Sequence, residues 1–145
     1  MTMDIGTFLL MQSPSARSSQ EIYARALELA QAAESLGYRN VWLAEHHFSS
    51  YGYSPSPLMT ALKVADSTKR VRVGTAVVVL PLHHPLDVAE QIALADQLTG
   101  GRLEVGFGSG YQEYEFSRWG MPLSEKGERF AEGLDVVRRA LTEGT

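Results

Sequence analysis

Four times along the chain a β-rich stretch gives way to a helix-period segment, and this repetition constrains the fold more than any other feature. The stretches open near Asp4 (Ile5, Thr7, Phe8, Leu9, Leu10), Asn40 (Val41, Trp42, Leu43), Val71 (Val73, Thr75, Val77, Val78, Val79) and Leu103 (Val105, Phe107). Successive starts lie 36, 31 and 32 residues apart. Strands alternating with helices at this spacing predict βαβ units and a parallel α/β sheet. The third stretch is almost continuously apolar, which predicts a strand covered on both faces.

The helices carry their own punctuation. Ser18-Ser19-Gln20-Glu21 reads as a capping box, in which Ser at N-cap and Glu at N3 satisfy each other's backbone donors. Ile22, Ala26, Leu29, Ala33 and Leu36 follow in steps of 4, 3, 4 and 3, one apolar stripe closed by Gly37. Pro57 and Pro85 stand where a first helical position is expected, and Gly100-Gly101 ends the third helix. Phe130, Leu134, Val137 and Leu141 mark the fourth.

Two architectures accept four such units. One is a self-contained open sheet of four strands. The other is half of a (β/α)8 barrel, which typically takes about 250 residues, whereas this chain has 145. Spacing alone does not choose between them. Composition narrows the class rather than the fold: 44% hydrophobic and 21% charged residues fit a soluble globular chain. The absence of cysteine excludes a disulfide framework, thiolate metal ligands and a cysteine nucleophile. A net charge of −4, spread without blocks, argues against a nucleic-acid or membrane-surface partner. Neither a signal-peptide pattern nor a run of about 18 apolar residues occurs, so the expected location is the cytoplasm.

In either architecture ligands gather at the carboxyl ends of parallel strands. All four histidines fall there: Glu45-His46-His47-Phe48 follows the second stretch and His83-His84 the third. Adjacent side chains in extended backbone point to opposite faces, so only one of His46 and His47 can look into a ligand cavity. That histidine is a candidate acid or base, because imidazole titrates near neutrality; the alternative is a buried histidine that holds a loop. His83 and His84, flanked by proline, read as polar side chains exposed on a turn. Diverging adjacent histidines, without His-x-His or cysteine, predict no metal site. Gly106, Gly108 and Gly110 do not form a dinucleotide fingerprint, and Ser109 lacks the glycine two residues earlier that a nucleophile elbow needs. The glycines permit close approach of a flat ligand or a phosphate, or else serve a loop that needs unusual backbone angles.

Taken in order, several segments resemble the bacterial luciferase-like flavin-dependent monooxygenases. They are Ile5-Gly6-Thr7-Phe8-Leu9, Val41 to Phe48, Val73 to Pro81, His84-Pro85, Ala89-Glu90-Gln91, Asp96-Gln97-Leu98, Gly100-Gly101-Arg102-Leu103 and Gly106 to Tyr111. The resemblance implies a (β/α)8 barrel of which residues 1–145 are the N-terminal half, the first four βα units of a truncated chain. It implies an enzyme that uses reduced FMN and dioxygen to oxygenate an aldehyde or another small organic substrate. A deazaflavin-dependent hydride-transfer oxidoreductase and a non-catalytic flavin-binding protein are the alternatives. By the same resemblance, His46 matches the catalytic base and His47 its functionally important neighbour. Ala76 and Val77 match the pair under the isoalloxazine ring, where the family often has a non-proline cis peptide. Gly108 and Ser109 lie beside the flavin, and Glu115 matches an acidic position near it. Luciferase proper has a reactive cysteine at the Gly108 position and a phosphate-binding arginine at Ser109, so light emission is not expected. A flavin reductase and a homo- or hetero-dimeric assembly are the implied partners. A half barrel alone is expected to be inactive and prone to self-association through its open edges.

Overall fold

The computed structural model describes residues 3–143, apart from positions 14 and 16. Four strands, β1 (Gly6–Leu9), β2 (Asn40–Leu43), β3 (Arg72–Val79) and β4 (Leu103–Gly108), alternate with helices. The helices are α1 (Ser19–Ser35), α2 (Pro57–Ser67), α3 (Pro85–Thr99), α4 (Glu113–Arg118) and α5 (Lys126–Thr142), with single 3-10 turns at Leu80–Leu82 and Leu123–Glu125. The strands are all parallel and lie in the order β1-β2-β3-β4.

That order decides between the two architectures. Doubly wound sheets reverse direction at a switch point and so receive helices on both faces. Consecutive parallel neighbours with right-handed crossovers place every helix on one face. The other face stays open and concave, as in an arc of a barrel. Val41, Leu43, Val73 and Thr75 are buried toward the helices, whereas Phe8 on the concave side is 52% exposed. On β3, Val73, Val78 and Val79 are buried, and Ala76 and Val77 are half-buried at the concave side.

Local signals explain most element ends. Ser18 and Glu21 form the capping box, with the Glu21 N–H donating to Ser18 Oγ at 3.3 Å and the Ser18 N–H to Glu21 Oε2 at 2.9 Å. The buried stripe of α1 is Ile22, Ala26, Ala30 and Ala33, while Leu29 and Leu36 are exposed. Those four residues belong to the main hydrophobic core, and α2 is the helix that α1 packs against. Gly100, with φ +66°, caps α3 in the left-handed region. The Arg102 guanidinium donates to the carbonyls of Ala65 (2.7 Å), Thr99 (3.0 Å) and Val71 (3.3 Å), tying the ends of α2 and α3 to the entry of β3. At the bottom of the arc, Glu104 accepts from Asn40 Nδ2 at 2.7 Å and pairs with Arg72. Helix α4 has no apolar period to announce it: six residues long, it is held by Phe116, which is fully buried.

Candidate active site

The carboxyl ends of the four strands enclose a cavity of about 450 Å³. Its walls include Phe8 on β1 and Leu10 after it, Glu45, His46 and Tyr51 after β2, Ala76 and Val77 on β3, Gly108 on β4, and Ser109, Tyr111 and Glu115 after β4. Six of the seven site residues expected from the sequence thus meet in one place. The seventh, His47, points away from it.

The alternation of extended backbone produces this split. His46 is 8% exposed and faces the cavity, with its ring edge-on to Tyr51 at 4.7 Å and to Tyr111 at 6.2 Å. Its Nδ1 lies 3.1 Å from Glu115 Oε1, and the same oxygen accepts the His47 backbone N–H at 2.9 Å and the Tyr114 hydroxyl at 3.4 Å. An oxygen already accepting that N–H serves as acceptor for the imidazole too, so the His46 hydrogen sits on Nδ1. The Nε2 lone pair is then the free basic position. Glu115, 1% exposed, is a partner of His46 as well as part of the cavity wall. Gly52 completes the support, since a Cβ there would come within 2.9 Å of His46 Cβ.

His47 belongs to a second cluster behind the cavity wall. Its Nε2 donates to Glu45 Oε1 at 2.8 Å, and His83 Nε2 donates to the same oxygen at 2.7 Å. Glu45 Oε2 accepts the Val79 N–H at 2.9 Å. Burial by itself pushes the Glu45 carboxyl up. The hydrogen bonds from His47 and His83, the His83 charge and the Val79 N–H together outweigh burial and hold it below the ordinary carboxylate range. Burial lowers His83, but the bond to Glu45, the Glu45 charge and Asp87 raise it above the ordinary imidazole range. The turn reading thus holds for His84, which is exposed, and fails for His83, which the carboxylate draws inward. Divergence also holds only for the His46–His47 pair: Glu45, His47 and His83 each bring one atom of metal-ligand type within 4.8 Å of the others. Those atoms are engaged with one another, since one carboxylate oxygen accepts from both rings. Glu45 and His83 were absent from the sequence-derived site. The signal for Glu45 lay in its place beside His46, but nothing local indicated that the next βα connection would return a histidine to it.

The glycine run answers chiefly to β3. A Cβ at Gly106 would stand 2.6 Å from the Thr75 carbonyl oxygen, and one at Gly108 2.5 Å from Val77 Cγ2. Gly110 has φ +73° and lies against Val79 and Phe116. Close strand packing at Gly106 and Gly108 and a left-handed turn at Gly110 each require glycine. The Ala76–Val77 peptide is cis, at the place the family resemblance indicated. Among the described residues no Lys or Arg lines the cavity.

The luciferase-like monooxygenase family model matches residues 3–145. The chain is 37% identical over 97% of its length to 4-hydroxyprotoasukamycin monooxygenase of Streptomyces nodosus subsp. asukaensis, and covers 38% of that protein. It is 35% identical over 98% of its length to the alkanal monooxygenase alpha chain of the Kryptophanaron alfredi symbiont, covering 40% of it. Among solved structures, the monooxygenase RslO1 from Streptomyces bottropensis superposes with a TM-score of 0.89 at 37% identity, over 94% of this chain and 42% of that one. The oxygenating constituent of 3,6-diketocamphane monooxygenase from Pseudomonas putida, solved in complex with FMN, superposes at 0.90 with 22% identity, over 96% of this chain and 39% of that one. This last likeness concerns the fold. The chain spans about 40% of the length of the curated relatives it matches.

Proposed function

Because the chain belongs to the luciferase-like monooxygenase family, we propose that the complete protein uses reduced FMN and dioxygen to oxygenate an aldehyde or another small organic substrate. The observation that carries this reading is His46, held at Nδ1 by Glu115 and presenting Nε2 to a cavity floored by Ala76 and Val77.

The cavity fits the flat part of a flavin. Its volume of about 450 Å³ lies within the roughly 300–1,000 Å³ usual for small-molecule sites. Ala76, Val77, Phe8 and Leu10 offer an apolar floor and wall. With no Lys or Arg lining it among the described residues, the cavity offers no cationic partner for a phosphate. We assign phosphate binding to the part of the protein beyond these four units, which also completes the barrel. When bound, reduced flavin supplies the electrons that activate dioxygen.

The chain's own residues supply orientation and proton handling. His46 takes or returns a proton at Nε2, and Glu115 stabilises the imidazolium that forms, as a carboxylate does for a catalytic histidine elsewhere. The Ala76–Val77 floor and Phe8 keep water from the reacting face. His47, facing the other way, supports the wall. The four-unit arc by itself leaves β1 and β4 as open edges and is proposed to be inactive. The complete protein is proposed to work as a dimer supplied by a flavin reductase.

The test is turnover by the full-length protein of a panel of aldehydes and aromatic substrates with reduced FMN under ¹⁸O₂. Product carrying one labelled oxygen, lost in His46→Ala, supports the reading. Anaerobic turnover with a reduced deazaflavin, and none with reduced FMN, would replace it with hydride transfer. Flavin binding without turnover of any substrate would leave a binding protein.

A further inference from the structure

Glu45 is a buried carboxylate at the cavity that the proposed reaction leaves without a task. It is 2% exposed, immediately precedes His46, and spends both oxygens on donors from separate segments. Oε2 takes the Val79 N–H at the end of β3, two residues beyond Val77. Oε1 takes His47 Nε2 from its own segment and His83 Nε2 from beyond the 3-10 turn at Leu80–Leu82. Among the described residues no other side chain joins the end of β2 to both the end of β3 and the start of α3. Within the His46 segment, Glu45 is the residue whose side chain accepts a hydrogen bond from β3.

We propose that Glu45 is a positioning residue: its carboxylate fastens the end of β2 to the end of β3 and thereby fixes His46 relative to the Ala76–Val77 floor. The proposal rests on the reading of this cavity as the flavin site. A carboxylate suits the task because both oxygens only accept, and three N–H donors converge on it. Glutamine retains the shape but keeps a single acceptor oxygen. Its NH₂ group must face either the Val79 N–H, losing that bond, or the two imidazoles, which then stay bonded only by switching tautomer so that each Nε2 accepts. His83 has the complementary role. It lines a separate cavity of about 260 Å³, with Arg129 and Glu132 of α5, and anchors the carboxylate from the far side.

In the full-length protein, Glu45→Gln is expected to lower kcat at least tenfold with KM for the organic substrate within threefold of wild type. The Val79 amide should exchange its hydrogen at least tenfold faster, while amides in the middle of α3 keep wild-type protection. His83→Gln places an amide N–H near the lost Nε2 and should retain at least threefold more turnover than His83→Leu. A folded Glu45→Gln variant with wild-type kcat, or a Val79 amide as protected as in wild type, would overturn the proposal. So would equal impairment by the two His83 variants. Absence of turnover by the wild-type protein would instead overturn the flavin reading on which the proposal rests.

Discussion

Replacing Glu115 probes the pair on which the proposed chemistry depends. In Glu115→Gln an amide oxygen can still accept from His46 Nδ1 and from the His47 N–H, so the packing of a residue that is 1% exposed is kept. What is lost is the charge. A hydrogen bond to a charged partner is worth roughly 1.5–3 kcal/mol against about 0.5–1.5 for a neutral one, a loss of about 1–2 kcal/mol when His46 becomes an imidazolium. At about 1.36 kcal/mol per tenfold in rate, kcat should fall roughly 5–30-fold. Glu115→Ala goes further. It strands the His46 and His47 donors, each at about 1–3 kcal/mol of stability, and frees the imidazole to turn. The rate should then fall by roughly the 10²–10⁴ that a positioned acid–base group contributes. The assay is turnover by the full-length protein alongside ¹⁵N spectra of labelled histidine. The spectra should show the neutral His46 protonated at Nδ1 in wild type and both tautomers populated in Glu115→Ala. A wild-type His46 carrying its hydrogen on Nε2, or an unchanged kcat in Glu115→Ala, would refute the reasoning.

Other residues give independent predictions. His83, raised above 6.5 in the folded protein, adds stability that is fully present below about pH 6.5 and is lost as pH rises through its folded value. Glu45, lowered from 4.5, adds stability present above about pH 4.5 and lost as pH falls through its folded value. Urea midpoints should therefore be highest in the mildly acidic range, with His83→Gln removing the decline on the alkaline side; an unchanged alkaline slope would contradict this. Arg102→Lys gives up a fork of donors to three carbonyls that a single ammonium does not reproduce. It should cost about 2–3 kcal/mol, read as a lower thermal midpoint. Gly108→Ala puts a methyl group 2.5 Å from Val77 Cγ2 and should destabilise by about 1–3 kcal/mol. It should also weaken FMN binding by shifting the floor, and unaltered affinity on titration would separate Val77 from the flavin site.

Much of this molecule was legible from pattern. Four βα units, the capping box at Ser18, the αL cap at Gly100 and the opposite facing of His46 and His47 all follow from periodicities of 3.6 and 2 and from local backbone rules. Strand order was not legible, because spacing fixes that units exist but not how they neighbour one another. Helix α1 buries Ala30 rather than Leu29, because a period of 3.6 admits either position to the stripe and hydrophobicity alone does not choose between them. The short α4 escaped because six residues hold too few turns to show a period, although it delivers Glu115 to His46. The pairing of His83 with Glu45 joins residues 38 apart in sequence, and only the parallel register of β2 and β3 brings them together. The glycines after β4 show the limit of spacing: it left close approach of a ligand and a loop's backbone needs equally open, and only the structure shows how near Thr75 and Val77 come to Gly106 and Gly108.

A crystal structure of the full-length protein with FMN is predicted to show the isoalloxazine ring in van der Waals contact with Ala76 and Val77, and His46 Nε2 facing the ring or the space beside it. FMN seated elsewhere, with this cavity closed or filled by side chains of the remaining barrel, would contradict the account.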